Sequence, residues 1–578
     1  MKRVPFNFAI IGGGLSAVAM LCQFVDRVRQ KAARGRLDPS KIGIQVYEKQ
    51  DSFGPGFPHS DKFALPFHIT NMCAADMGVI DGRPGDFEAW VAANLENLQQ
   101  RFAWIVAPSS GHDTSGQECN HYPRAIMGEY LKARFQEAVQ AAQGLGLEVN
   151  LFPQSEVVDL KASDTGVTLR IRDLRSQHDY TRDADRALLA TGHWIEKKDR
   201  TRYFSSPWPA RELMRKIPAG AKVAVIGTSL SAIETLLTLT AEGKFTRNRT
   251  GRLVYEPAEN SRTFHLYSRM GLLPKVRGKM GRYRNKFLNR ETLDGLLIEN
   301  RGTLDLETIF KLLNSELEAA YGQAIDWDEI VNPTGRPADL LQKYIDDAVN
   351  GDGPEGELIW QTILHQSFDM VRDIYLNLAL EERRRFDKNY TSLFFTHAAT
   401  QPVFNAEKLL ALLKAGIVDV IKLGEKYRLV KDNDHDFYEF IYEGDRGDLN
   451  RDVYRYVVNA RGQARSLETD PSELAKNLLA SGTVQIEEFR PVSHNAYSGS
   501  QNAGEANTAG ASYKTGSIWI DPDTHQIMQV GPDEKITKSS KVYAVGAITR
   551  GQIINASMAD GIVQATSRIA DDLVTHLS

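Results

Sequence analysis

Gly12, Gly14 and Ala17 fill the pattern G-x-G-x-x-A directly after the apolar run Phe8-Ala9-Ile10-Ile11. A strand that turns sharply into a helix needs a glycine at the turn, here Gly12. A phosphate brought against bare backbone needs a second residue without a side chain, here Gly14. A helix packed closely on its strand needs a small residue one turn in, here Ala17. Gly13, Leu15 and Ser16 complete the turn, and the helix N–H groups face the anion. The next apolar run, residues 42–47, ends in Glu48-Lys49. A carboxylate at that strand end accepts hydrogen bonds from a ribose. Glu48 follows Gly14 by 34 residues, more than the usual roughly 20. The basic stretch 27–36 lengthens the intervening helix or its loop.

The same punctuation returns about 215 residues later. Residues 223–232, VAVIGTSLSA, put Gly227 at the turn and Ala232 at the helix–strand contact. Ser229 stands where the second glycine is usual. It adds a Cβ beside the phosphate path, although its hydroxyl is itself a donor. Thr228, Leu230 and Ser231 are the other residues of that turn. The following run, 263–267, ends in Ser268-Arg269. An arginine there pairs with a ribose 2′-phosphate; its other reading is a solvated surface cation. Two such cradles in one chain imply two dinucleotides.

The elements around these residues read as α/β. Residues 51–78 are dense in Gly and Pro and form an ordered loop. A polar, loop-like stretch at 108–120 precedes a helix at 125–143. Strands are expected at 148–152, 156–162, 167–172 and 186–189, the last entering Ala190-Thr191-Gly192-His193. From about 281 to 391 the pattern turns helical and amphipathic, clearest at 304–320 and 358–379. A helix at 406–415 and strands at 418–423, 437–442 and 453–458 follow. The last ends in Asn459-Ala460-Arg461-Gly462, a looser echo of 190–192. Residues 497–512 are rich in Gly, Ser, Asn and Ala. A strand at 541–547 and a helix from 558 close the chain.

A length of 578 residues admits two to four domains. The net charge of −4 with 25% charged residues gives no case for nucleic-acid binding or a polybasic membrane surface. The three cysteines, Cys22, Cys73 and Cys119, form no C-x-x-C, so neither a structural zinc nor a redox-active dithiol is expected, and no metal site. Few cysteines favour a reducing cytoplasm. Met1-Lys2-Arg3 before the uncharged run 8–25 superficially suggests export or a spanning helix. Three glycines at its centre and no small-residue cleavage site argue against both.

On these residues the chain resembles the two-dinucleotide-domain flavoproteins. Within them it is most similar to a bacterial FAD/NAD(P)-binding oxidoreductase family related to the lysine/ornithine N-hydroxylases and Baeyer–Villiger-type flavin monooxygenases. The resemblance covers nearly the whole chain. It rests on Gly12 to Ala17, on Ile69-Thr70-Asn71-Met72-Cys73-Ala74, on Asp86-Phe87 with Trp90, on Ala190-Thr191-Gly192, on Gly227 to Ala232 and on Val545-Gly546. It implies FAD in the first site and NADPH in the second. It further implies that loops 54–57 and 69–72 cover the isoalloxazine, and that Thr191, Gly192, Gly546, Asp560 and Gly561 border the flavin. Asn71 then hydrogen-bonds flavin or the oxidised cofactor, or simply forms a turn; Met72 is its neighbour. His68 is a candidate acid or base, or a histidine that satisfies backbone groups; His193 is similar. His397, Thr400 and Gln401 line a substrate pocket or end the helical insertion. Ser229 and Arg461 depart from the pattern.

The fold expected is therefore two Rossmann-like, three-layer ββα/α dinucleotide-binding domains with a helical insertion. The FAD-binding domain takes residues 1–210 and 456–578. The NAD(P)-binding domain takes 211–280 and 392–455, with the insertion at 281–391. The activity expected is an FAD-dependent oxidoreductase reduced by NADPH, a monooxygenase on a small-molecule substrate with oxygen. Two alternatives stand beside it: an NAD(P)H oxidase or reductase serving a quinone or protein acceptor, and a non-catalytic flavin-binding sensor.

Overall fold

The computed structural model describes residues 6–102, 109–112, 117–196, 201–432, 435–444, 447–462, 464, 466–489, 512–531 and 535–577. The small-residue stretch expected at 497–512 lies outside them, apart from Ser512. The first sheet runs Gln526–Val530, Ile536–Ala544, Arg186–Leu189, Phe6–Ile11, Ile42–Glu48, Glu148–Pro153. All its neighbours are parallel except the first pair. Phe8 stands opposite Ile44 and Ile11 opposite Tyr47. Both central strands are buried along almost their whole length, which explains their unbroken apolar runs. The helix Leu15–Ala33 buries Met20, Leu21 and Phe24 against this sheet. Each such side chain stabilises by about 1.5–3 kcal/mol. The helix Ala559–Thr575 shares that core, and the run 8–25 that superficially suggests export is interior. Among the described residues no helix is long and apolar enough to cross a membrane.

The second sheet is all parallel: Tyr203–Phe204, Tyr456–Asn459, Lys222–Ile226, Thr263–Ser268, Val418–Lys422. Its plan repeats the first. In each unit a glycine-turn strand lies between the strand that ends at the ribose position and a strand that returns after a long excursion. In each, a three-stranded antiparallel meander comes just before that return strand. The meanders are Ser155–Ser163, Gly166–Asp173 and Asp179–Ala184 in the first unit, and Tyr427–Asp432, Phe437–Glu443 and Leu449–Tyr454 in the second. This is the two-unit Rossmann-like α/β architecture.

Several local expectations change. The stretch 108–120 contains a hairpin, Ser109–His112 paired with Glu118–His121, because loop-like composition does not prevent strand pairing. The single strand expected at 453–458 is two, separated at Arg455: one closes the meander, the other enters the parallel sheet. Strand Asp179–Ala184 carries too many exposed polar residues to show as a strand in sequence. The second sheet also takes in Tyr203–Phe204 and Tyr456–Asn459, which lie on the first unit's side of the limits expected at 210 and 455.

The insertion enters after strand Thr263–Ser268 and returns at helix Val403–Lys414. Helices Arg290–Glu299, Leu306–Tyr321 and Trp327–Val331 each start at a side chain that accepts a backbone N–H: Asn289, Asp305 and Asp326. Such caps satisfy donors that the helix itself leaves open. Later come Pro337–Asn350, Ile359–Asn377, Leu380–Arg385, a π-helical turn Phe386–Tyr390, and Thr391–Ala398.

Candidate dinucleotide sites and their junction

The two glycine turns are built alike. Gly12 has φ +109°, and a Cβ on it would lie 2.3 Å from the Ala190 carbonyl oxygen. Gly227 has φ +118°, and its Cβ would lie 2.7 Å from the Ala460 carbonyl oxygen. The backbone bonds match too. Gly12 N–H donates to Tyr47 O at 2.8 Å and Gly227 N–H to Tyr267 O at 2.7 Å. Ala190 N–H donates to Ile11 O and Ala460 N–H to Ile226 O. Ala190-Thr191-Gly192 and Ala460-Arg461-Gly462 are thus the same structural position in the two units.

Gly14 and Ser229 occupy the N-cap positions of helices Leu15–Ala33 and Leu230–Leu239, with φ/ψ of −84°/−164° and −90°/−168°. Serine adopts this extended backbone without strain, so Ser229 matters only for the room its side chain takes. No side chain caps either helix, and the Ser229 hydroxyl leaves the first turn open. Open N–H groups at a helix N-terminus are the donors a pyrophosphate needs. In the first unit Gly13 N–H reaches Glu48 Oε2 at 2.7 Å, and Gln50 N–H reaches Oε1 at 2.8 Å. Burial raises the Glu48 carboxyl above its usual value, against those two bonds. Lys49 is exposed beside it. Loop Gly54–Phe57 stands over the turn, with Gly14 and Gly56 close enough that a Cβ on Gly56 would lie 3.1 Å from Gly14 Cα. The backbone and donor set fit an FAD pyrophosphate and ribose.

The structure brings Thr191 and Gly546 to the first turn and Ser268 to the second. Gly546 has φ +82°, and a Cβ there would lie 3.0 Å from Ser16 Oγ. Asp560 and Gly561 start helix Ala559–Thr575; a Cβ on Gly561 would strike the Asn555 carbonyl. Thr191 is exposed just past the strand Arg186–Leu189, and Gly192 has φ +71°. In the second unit Thr228 Oγ1 donates to Leu272 O at 2.6 Å and meets Ser268 Oγ at 3.2 Å. Leu230 and Ser231 are both half-buried in the first turn of their helix. Arg269 is not a purely solvated cation. Its guanidinium lies 3.5 Å from Lys388 O and from Ser392 Oγ, and 3.8 Å from Glu425. Asn71 and Met72 are half-buried, and the Asn71 amide makes no hydrogen bond with any described residue.

His68 is tied up. Its Nδ1 accepts from Leu65 N–H and its Nε2 donates to Thr238 Oγ1, each at 3.0 Å. Burial, helped by the charge of Arg124, pushes its pKa down to about 3. This geometry braces the loop and leaves neither ring nitrogen for proton transfer. His193 is likewise lowered to about 3 by burial and by Arg550 and Arg124. Gln401 and Thr400 close the insertion. Gln401 Nε2 donates to Pro274 O at 2.9 Å, and Thr400 Oγ1 accepts from Arg277 Nε at 3.1 Å. His397 Nδ1 meets Leu393 O within its own helix.

Two features were missed in sequence. Arg124 at the start of helix Arg124–Gly144 pairs with Glu234 at 2.6 Å, in the helix that follows the second glycine turn. With His68 on Thr238, this docks the flavin-side loop directly on the second unit. The signal was Glu234 itself, a lone acid in the apolar helix LSAIETLLTL. The second feature is a disulfide between Cys73 and Cys119, which joins loop 69–77 to the hairpin. The absence of a C-x-x-C motif gave no sign of this pair. Pairing across 46 residues has no spacing motif. Both sulfurs are buried, and His121 Nε2 lies 3.6 Å from Cys73 Sγ. Among the described residues Cys22 is the free thiol, raised to about 12 by burial. No cluster of metal-binding side chains occurs among the described residues.

The fold is a two-unit Rossmann-like α/β architecture with a glycine turn in each unit, and residues 9–194 match the FAD-NAD(P)-binding family model. The chain is 24% identical over 478 residues to the protein YdhS of Escherichia coli, covering 76% of this chain and 82% of that one. Among solved structures it is similar to the ornithine hydroxylase of Pseudomonas aeruginosa, at 12% identity and a TM-score of 0.49 over 100% of both chains. It is also similar to the ornithine N-hydroxylase of Kutzneria sp. 744, at 12% identity and a TM-score of 0.48 over 99% of each chain. The L-lysine 6-monooxygenase of Pseudomonas syringae aligns at 11% identity with a TM-score of 0.47, again over 99% of each. Likeness at this level carries no argument about the reaction.

Proposed function

We propose that this protein is an FAD-dependent monooxygenase reduced by NADPH and acting on a small molecule. The duplicated cradle carries the reading. Two uncapped helix N-termini and two positive-φ glycines, each pressed on an alanine carbonyl, occur in units docked through Arg124–Glu234 and His68–Thr238. When bound, FAD supplies the redox chemistry and the activation of oxygen, with a nicotinamide as hydride donor.

The chain's own residues bind and orient. The N–H groups around Gly12 to Ala17 would hold the first pyrophosphate and Glu48 the ribose. Gly227 to Ser231 would hold the second pyrophosphate, and Ser268 with Arg269 the adenosine ribose and its 2′-phosphate. The first turn of helix Ala559–Thr575, with Asp560 and Gly561, presents a positive helix end that favours negative charge on a neighbouring ring. The unbonded Asn71 amide, held in a loop clamped by Cys73–Cys119, would position the cofactor or substrate. Thr191, Gly192, Gly546 and Met72 shape the same cleft. The FAD unit is closed by the C-terminal segment, and the insertion belongs to the nicotinamide unit. A cytoplasmic site of action fits a reaction that draws on NADPH.

The test compares NADPH and oxygen consumption with peroxide release, with and without candidate substrates. A monooxygenase consumes both together, and peroxide falls when the true substrate is present. Quinone reduction that outpaces oxygen use would overturn the reading in favour of a reductase.

A further inference from the structure

A cavity of about 390 Å³ lies where the end of the insertion meets the C-terminal segment of the first unit. Its charge is lopsided. Arg384 and Lys388 come from the insertion and Arg550 from the segment after Gly546–Thr549. The one carboxylate in its wall, Asp387, is already engaged. It accepts from the Tyr375 hydroxyl at 2.8 Å and from the Tyr513 hydroxyl. Arg384 and Lys388 form no ion pair with any described residue. The wall therefore carries three cations against one carboxylate.

The wall is firmly held. Buried Arg383 pairs with buried Glu487 at 3.2 Å, donates to Gly551 O at 2.6 Å and lies over the Tyr375 ring at 4.4 Å. These contacts fix the insertion against the first unit on either side of the cavity. Asp387 and Lys388 sit on the π-helical turn Phe386–Tyr390. A π turn is poorer in hydrogen bonding than an α turn and occurs often at functional sites. Apolar area is present too: Phe395 lines the cavity with the Arg550 guanidinium 5.7 Å from its centroid. Arg550 directly follows the turn Gly546–Thr549, whose Gly546 packs on Ser16 of the first glycine turn, so the cavity borders the first cradle.

We propose that this cavity is the acceptor-substrate pocket and that it selects a small organic acid, a carboxylate on an aromatic or apolar body. Arg384, Lys388 and Arg550 bind the carboxylate, and Phe395 with Tyr375 receives the body. The inference rests on the flavoenzyme reading for what happens to the substrate, but not for the anion selectivity. One competing source of the anion is the 2′-phosphate of the nicotinamide cofactor, because the Arg269 guanidinium lies 3.5 Å from Lys388 O on the same π turn.

The test is calorimetry on the purified full chain with its flavin. The probes are benzoate, phenylacetate and 3-phenylpropionate, their three amides, and adenosine 2′-phosphate. A charge-assisted contact predicts that at least one acid binds about 10- to 150-fold more tightly than its amide. The double variant Arg384→Ala/Lys388→Ala loses at least about tenfold of that affinity, and Lys388→Arg, which keeps the charge, retains most of it. Both positions are exposed, and the unfolding midpoint checks that the variants fold. Equal affinity for acids and amides, no acid binding, or acid binding unchanged in the double variant overturns the proposal. So does adenosine 2′-phosphate binding that the double variant abolishes while the acids do not bind. Acid selectivity in a chain that carries no flavin would support the pocket and overturn the proposed function instead.

Discussion

Alanine at Gly12 and alanine at Gly14 should fail in different ways. At Gly12 the new Cβ meets the Ala190 carbonyl oxygen at 2.3 Å, on a backbone with φ +109°. A non-glycine residue in that half of conformational space costs roughly 1–2 kcal/mol. Forcing apart two packed backbone segments adds about 1–3 kcal/mol. Gly12→Ala should therefore destabilise the flavin-free protein by about 2–5 kcal/mol. At Gly14 the φ is −84°, and the nearest atom to the new Cβ is Gly56 Cα at 3.4 Å, an ordinary contact. The flavin-free stability of Gly14→Ala should stay within about 1 kcal/mol of the parent. What this methyl occupies is the approach of the pyrophosphate, and losing one charge-assisted N–H bond costs about 1.5–3 kcal/mol. FAD should bind about 10- to 150-fold more weakly. Urea unfolding of the deflavinated proteins reads the first quantity, and flavin fluorescence titration reads the second. An unshifted unfolding midpoint in Gly12→Ala, or parental FAD affinity in Gly14→Ala, would refute the assignment of roles to the two glycines.

Three further outcomes are expected. Arg269→Ala should lower the efficiency of NADPH by about 10- to 150-fold and leave NADH nearly unchanged; equal losses in steady-state kinetics would remove the 2′-phosphate role. Glu234→Ala leaves Arg124 without its partner at the junction and should cost up to about 3–5 kcal/mol, read by chemical unfolding of the flavin-free chain. His68 is held at about 3 by burial, against about 6.5 in the unfolded chain. Its contribution is therefore fully present above that unfolded value and lost as pH falls toward 3. His68→Gln should flatten the loss of stability on acidification by up to about 1.4 kcal/mol per pH unit, measured as urea midpoints across that window.

The parts legible in sequence are those whose physics is local. Gly12, Gly14, Gly227 and the strand ends at Glu48 and Arg269 are set by a turn, a helix start and an alternation of apolar runs within a few tens of residues. The amphipathic insertion showed for the same reason. The return strand Tyr456–Asn459 was merged with its neighbour because nothing in residues 453–458 marks the change of sheet at Arg455. Contacts between distant segments left even less trace. Cys73 and Cys119 pair across a loop, and Arg124 finds Glu234 across two units. Arg384, Lys388 and Arg550 converge only because Arg383 locks the insertion onto Gly551 and Glu487. His68 looked reactive by residue type; both its nitrogens proved to be occupied.

The central claim, that one chain binds a flavin in its first cradle and reduces it from a nicotinamide in its second, is tested most directly by anaerobic titration of the purified protein with NADPH. The account predicts that the protein carries non-covalent FAD and that its visible absorption bleaches with one equivalent of NADPH. It predicts further that the bleaching slows sharply when Ser229, whose extended backbone accepts any side chain, is replaced by phenylalanine, while the flavin stays bound. A protein that purifies without flavin and takes up none, or a bound flavin that NADPH does not reduce, would contradict it.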